Sequence, residues 1–240
     1  MWKKIATSMV VLALMTMVMA MSAFAIDKAD AVAGAGTTVG ATGVFTETTA
    51  GTDTAEGGDV TEVNLTTSAS TTKWQGYYGQ VTASLSIGSG TNVLYSFGSV
   101  PNNQIKTVFA STDTGFDFSG LLASVGSAYD TAAGWTGGDK DSAASTLATT
   151  NTIAQLSSVP AVALNAYTGA GAANATLFKS GIFKDTASPA VYNDFAWGVP
   201  VNVDKRDFTN STVVDYELLV PVDNNGSAGS QTYYFFLDLE

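Results

Sequence analysis

The stretch from Thr212 to Glu240, TVVDYELLVPVDNNGSAGSQTYYFFLDLE, limits the fold more than any other part of the chain. Val214, Tyr216, Leu218 and Val220 alternate with Val213, Asp215, Glu217 and Leu219. Further on, Tyr233, Phe235, Leu237 and Leu239 alternate with Thr232, Tyr234, Phe236 and Asp238. A period of two, filled with β-branched and aromatic residues, suits a pleated strand with successive side chains on opposite faces. Pro221 ends the first strand, because proline brings no N–H to a ladder. Asn224-Asn225-Gly226 then supplies residues that tolerate positive φ. The expected unit is a β-hairpin with a connection of about ten residues. Its last strand is apolar on both faces, so it is either central in a sandwich or covered by another subunit, with Tyr234 and Phe236 as candidate assembly contacts.

A second hairpin is expected earlier. Val81, Ala83, Leu85 and Ile87 alternate with Gln80, Thr82, Ser84 and Ser86, and Val93, Tyr95 and Phe97 return after Gly88-Ser89-Gly90. One polar face and one apolar face predict an antiparallel sheet covering a core. Further strands are expected around Val60, Val63 and Leu65, over Ile105–Ala110, over Val159–Tyr167, and as a short edge at Val201 and Val203. One short helix is expected within residues 139–158. Asp141 or Ser142 would cap it, with Leu147, Ile153 and Leu156 facing inward. Together these predict a mainly β chain: an antiparallel β-sandwich with long loops and one short helix.

The N-terminus reads differently. Trp2-Lys3-Lys4 opens a basic region, Ile5 to Met21 is apolar apart from Thr7, Ser8 and Thr16, and Ala23-Phe24-Ala25 puts small residues where a signal peptidase reads. Residues 1–25 are therefore expected to be a secretory signal peptide, cleaved before Ile26. Residues 26–59, rich in Ala, Gly and Thr, are a leader or spacer, or else an assembly arm in which Val39, Val44 and Phe45 add to a neighbour. Residues 60–240 form the β-sandwich domain. No later apolar run approaches the length of a span, so no membrane crossing is expected after cleavage.

Without Lys3 and Lys4 the chain keeps eight basic residues against 21 acidic ones, a net charge of -13. That disfavours nucleic acid and anionic lipid, which reward clusters of Lys and Arg. Histidine and cysteine are both absent. Imidazole-based triads, thiol nucleophiles, disulfides and Cys-ligated metals are thereby removed.

Trp74-Gln75-Gly76-Tyr77-Tyr78-Gly79-Gln80-Val81, with Asp215-Tyr216-Glu217-Leu218 and Tyr233-Tyr234-Phe235-Phe236-Leu237-Asp238, resembles a poorly characterised group of secreted or cell-surface β-rich proteins from archaea and some bacteria. The shared pattern is a W-x-G-Y-x-G-x-V strand entry followed by an acidic-aromatic C-terminal segment. The resemblance extends over residues 60–240 and implies an extracellular β-rich domain of a surface layer or filament. It carries no catalytic residue set.

Trp74, Tyr77, Tyr78 and Trp135 are candidates for aromatic packing or for a ligand platform. Carboxylates cluster at Asp53, Glu56, Asp59 and Glu62, at Asp113 and Asp117, and at Asp204 and Asp207 with Asp194 nearby. Such oxygens suit Ca²⁺, but the spacing is not that of an EF-hand, and a solvated acidic surface is the simpler expectation. No cofactor is expected. The leading functional expectation is a secreted, non-catalytic structural component of the cell surface, with further copies or other surface proteins as partners. The alternatives are a carbohydrate- or polymer-binding module and a glycoside hydrolase using carboxylates alone.

Overall fold

The computed structural model describes residues 31–33, 62, 69–89, 91–167, 173–185, 189, 191–222 and 230–239. The expected signal peptide, the strand expected at Val60, Val63 and Leu65, and Val39, Val44 and Phe45 lie outside these residues.

Among the described residues, alternating segments assemble into one antiparallel sheet of ten strands. Its main path runs β1 (Ala31–Ala33), β14 (Tyr234–Leu239), β5 (Ile105–Ser111), β10 (Phe195–Pro200), β9 (Ala173–Lys184), β8 (Leu156–Tyr167), β11 (Lys205–Arg206) and β12 (Val213–Val214). Two shorter strands hang from it: β6 (Leu122–Ala123) on β9 and β7 (Thr149–Ile153) on β8. A second sheet pairs β2 (Trp74–Gly79) with β13 (Tyr216–Pro221), in a register that sets Tyr77 beside Leu218 and Gln75 beside Val220.

Both faces of the large sheet are covered. On one face Val108, Ala110, Phe195, Trp197 and Val199 meet Leu218 and Val220 from the small sheet. On the other, Phe109, Phe183, Ala196 and Phe236 lie with Phe116 and Phe118. Neighbouring residues of β5, β10 and β14 thus enter different cores, as a two-residue period requires. This explains why β14 is apolar on both sides within a single chain. Phe236 packs on Phe118, ring centroids 4.9 Å apart, and is only 4% exposed. It is a core residue and not the free assembly contact expected from the sequence, whereas Tyr234 is 41% exposed.

The packing of β10 is tight. A Cβ at Gly198 would lie 2.7 Å from the Phe109 ring and 2.8 Å from Phe183. The missing side chain leaves room for those rings to meet edge to face, 5.4 Å apart.

The expected C-terminal hairpin does not form. Its first strand is β13, paired with β2; its second is β14, paired with β5 and β1. The two halves of the alternating stretch serve opposite layers of the sandwich, and the Tyr233 hydroxyl donates to the Pro221 carbonyl at 2.6 Å across the step. Alternation fixed strand type and facing but not partner, because both layers offered an apolar face to cover.

Two helices occupy the middle of the chain, α1 (Gly126–Ala133) and α2 (Ala143–Thr146). The helix expected in 139–158 shrinks to α2, capped by the Ser142 hydroxyl, which accepts from the Ser145 N–H at 3.2 Å. Thr149, Thr150 and Thr152 then favour the strand β7, which takes Ile153 with it, and Leu156 opens β8. The sequence reading missed α1. Residues 201–204 are not the expected edge strand; Asp204 takes a left-handed φ of 57° and the next strand starts at Lys205. Among the described residues, no helix is long and apolar enough to cross a membrane.

Candidate functional site

Trp74, at the start of β2, sits edge to face between Trp135 and Trp197, with centroids 5.7 and 5.5 Å away. Its indole N–H donates to the Asp141 carbonyl at 2.7 Å. Lys73 next to it bonds Asp139 at 2.9 Å and Asp141 at 3.0 Å and lies 5.4 Å over the Trp135 ring. The hydrogen bond that Lys73 donates to Asp139 leads, with that to Asp141, in raising the Lys73 pKa, and Lys73 in turn holds the Asp141 carboxyl below its usual range. Tyr77 packs edge to face on Phe235 at 5.0 Å. Three of the four candidate aromatics, Trp74, Tyr77 and Trp135, are thus spent on joining the small sheet to the large one. Tyr78 is the exposed member and meets Phe208 at 5.8 Å.

Behind that pair lies a group of carboxylates, of which Asp207 belongs to the cluster expected to form a solvated acidic surface. Asp207, Asp215 and Glu217 are all buried. The N–H groups of Val81 and Asp204 donate to Asp215, both at 3.0 Å, and the Phe208 N–H donates to Glu217 at 2.9 Å. Burial pushes the Asp207 carboxyl up, but hydrogen bonds from Thr209, Ser211 and Thr212 outweigh it and leave the group below its usual range. Burial pushes Glu217 up to about 7, against the Phe208 hydrogen bond and with help from the Asp207 charge. These groups fasten the 204–212 loop onto the outer face of β13. Strand alternation could not have revealed this, since it tells which face a residue takes and not whether a loop covers that face.

The remaining acidic candidates are local. Asp113 accepts from the Gly115 N–H at 2.8 Å, Asp117 from Ser119 at 2.9 Å, and Asp194 from Val191 at 3.2 Å. Asp53, Glu56 and Asp59 lie outside the described residues, and Glu62 is exposed. Among the described residues, no group of three or more Asp or Glu converges on a metal position. A hollow of about 200 Å³ opens between Lys106, Gln155 and Asp238. It is smaller than the pockets that commonly hold small ligands.

Two features lie at the margins of the packed sheets. The first is the sheet edge at β14. Three leader residues lie antiparallel on it, Ala31 beside Asp238, Val32 beside Leu237 and Ala33 beside Phe236. The second is the expected central hairpin, β3 (Ala83–Ser89) and β4 (Asn92–Val100). It forms, but it does not cover the core. Val81 and Val100 are buried at its root, and nearly all the residues between them are exposed. Among the described residues β3 and β4 pair with each other alone. Two register shifts give β4 one extra residue opposite Leu85/Ser86 and another opposite Ile87/Gly88, and Gly98 takes a φ of 86° at the first of them. The bulges keep Leu85, Ile87, Tyr95 and Phe97 on one face, with Tyr95 and Phe97 in ring contact at 5.0 Å, and turn Val93 away from the face the alternation gave it.

Comparison with known proteins gave no match: no family model, no curated protein and no solved structure is recognisably similar to this chain. The fold itself defines the class, a mainly β protein of packed antiparallel sheets.

Proposed function

We propose that the chain is exported and serves as a non-catalytic structural component of the cell surface, a subunit that joins its own kind into a layer or filament. The observation that supports this best is the leader strand β1 on the edge of β14. An open sheet edge presents a row of backbone donors and acceptors, and any short extended segment can fill it. The leader of a second copy fills the same row with the same bonds, so exchange between copies loses none of them. Residues 34–68 separate β1 from the next described strand-bearing segment, and a chain of that length reaches about 115 Å when extended. That reach is ample for a neighbour. The acidic surface keeps subunits soluble before they join.

The test compares the chain from residue 26 with the same chain lacking residues 27–59, by sedimentation velocity and circular dichroism. The longer chain is expected to form species beyond a dimer. The shorter one is expected to keep its β spectrum and stop at a dimer or below. Undiminished assembly by the shorter chain would remove the arm from the reading. Fractionation of the source cells tests export, and recovery of the protein in the cytosol would remove the surface role.

A further inference from the structure

We infer that the apolar face of the β3–β4 ribbon is a docking surface for the same face of a second copy, related by a two-fold axis; this rests on the self-association proposed above. Leu85 is 47% exposed, Ile87 54%, Tyr95 61% and Phe97 67%. A two-stranded ribbon is marginally stable alone in water. This one leaves on the order of 500 Å² of apolar side chain uncovered, at the upper end for a monomer. The opposite face carries Ser84, Ser86, Ser96 and Ser99, with Val93 near the turn. The ribbon therefore has one continuous apolar face that gains by being covered and one that is mostly serine.

Charge selects the occupant. No charged residue occurs between Lys73 and Lys106, in a chain with 21 acidic residues and a net charge of -11. Two copies that meet here bring no carboxylates together. A nucleic acid or an anionic surface would find no cation to contact. A bilayer entered tip first would have to take up Gly88-Ser89-Gly90-Thr91-Asn92, which is polar, while the large apolar residues lie along the flank. A sugar ring stacks on a flat, open ring face, but Tyr95 and Phe97 stand at 79° to each other. A like face, apolar and uncharged, satisfies all of these constraints. Two such faces bury about 1,000 Å², the lower bound for a specific interface, so the contact is a weak one reinforced by the arms.

The chain contains no cysteine, so a single introduced thiol reports its own surroundings. Ile87→Cys, at the centre of the apolar face, and Ser86→Cys, on the opposite face, are placed in the full chain from residue 26 and oxidised under identical conditions. Ile87→Cys is expected to give about tenfold more disulfide-linked dimer than Ser86→Cys, because docking raises the effective thiol concentration on one face alone. The triple substitution Leu85→Ser, Ile87→Ser and Phe97→Ser is expected to weaken pairwise association about a hundredfold, with the core spectrum unchanged. Large assemblies with equal, low cross-linking at the two positions would overturn the docking surface and leave the structural role standing. A chain that stays monomeric at every concentration would overturn both. Binding of the native chain, but not the triple variant, to neutral phosphatidylcholine vesicles, without the cross-link preference, would assign the face to lipid and overturn the inference.

Discussion

At Glu217 a single proton reports on the packing of a loop. In the unfolded chain this carboxyl titrates near 4.5, and in the folded chain near 7. Between those values the folded state holds a proton that the unfolded state has released. The group therefore favours folding below pH 4.5, and its contribution is lost as pH rises through 7, at most about 3 kcal/mol. Glu217→Gln keeps an acceptor for the Phe208 N–H and removes the charge. The variant is expected to gain about 2 kcal/mol over the native chain at pH 8 and nothing at pH 4, read from urea melts at the two pH values. Asp117, Asp141 and Asp207 shift downward and remove stability below pH 3.8. Both chains share those groups, so they cancel in the difference. Gly198 supplies a steric counterpart. Its absent Cβ would press on Phe109 and Phe183, two buried rings with no room to withdraw. Gly198→Ala is expected to cost about 2 kcal/mol by overpacking and to lower the thermal midpoint.

Among the elements, the pairing of α1 with α2 depends on one carboxylate. Asp130 of α1 accepts from the Ala143 N–H at 2.7 Å and the Ala144 N–H at 3.0 Å, the two donors that open α2. Gly126 presses on the same turn, where a Cβ would stand 2.3 Å from the Ala143 carbonyl oxygen. Asp130→Ala leaves a buried donor unpaired and is expected to cost about 2–3 kcal/mol, with faster hydrogen exchange at Ala143 and Ala144 than elsewhere. The sequence showed little of this: Asp130 sits among small residues with no apolar period around it, and a helix of eight residues leaves a faint signal. The strands were far more legible. Alternation located β3, β4, β5, β8, β13 and β14, because each has at least one face that must be apolar. What it could not convey was pairing. The two strands at the C-terminus joined different sheets, and the ribbon at Ala83–Val100 turned its apolar face to water. Local periodicity records which side of a strand is greasy; only the tertiary arrangement decides what meets it. The buried acids were invisible for the same reason, since a strand reads identically with or without a loop over its polar side.

At the scale of the whole molecule, the two contacts proposed above differ in symmetry. A face that packs on its own copy closes a pair, whereas a leader passed to the next sheet edge is head to tail and propagates. Acting together they would connect pairs into an extended array, and each can be removed separately. The charge of the chain gives a further handle on the first contact. Each copy from residue 26 onward carries a net charge of -13, and one lacking residues 27–59 still carries -8; the docking face is uncharged, so the attraction is apolar and the repulsion is long-range. At 0.01 M salt that repulsion extends about 30 Å, and at 0.15 M about 8 Å. Apolar attraction changes little over the same range. Association of the chain lacking residues 27–59, where the arms are gone, is therefore expected to strengthen several-fold between 10 and 150 mM NaCl. Sedimentation equilibrium at the two salt concentrations measures it. A contact built from ion pairs would weaken instead, and dimers that dissociate as salt is added would point to acidic groups meeting cations at some surface other than the ribbon.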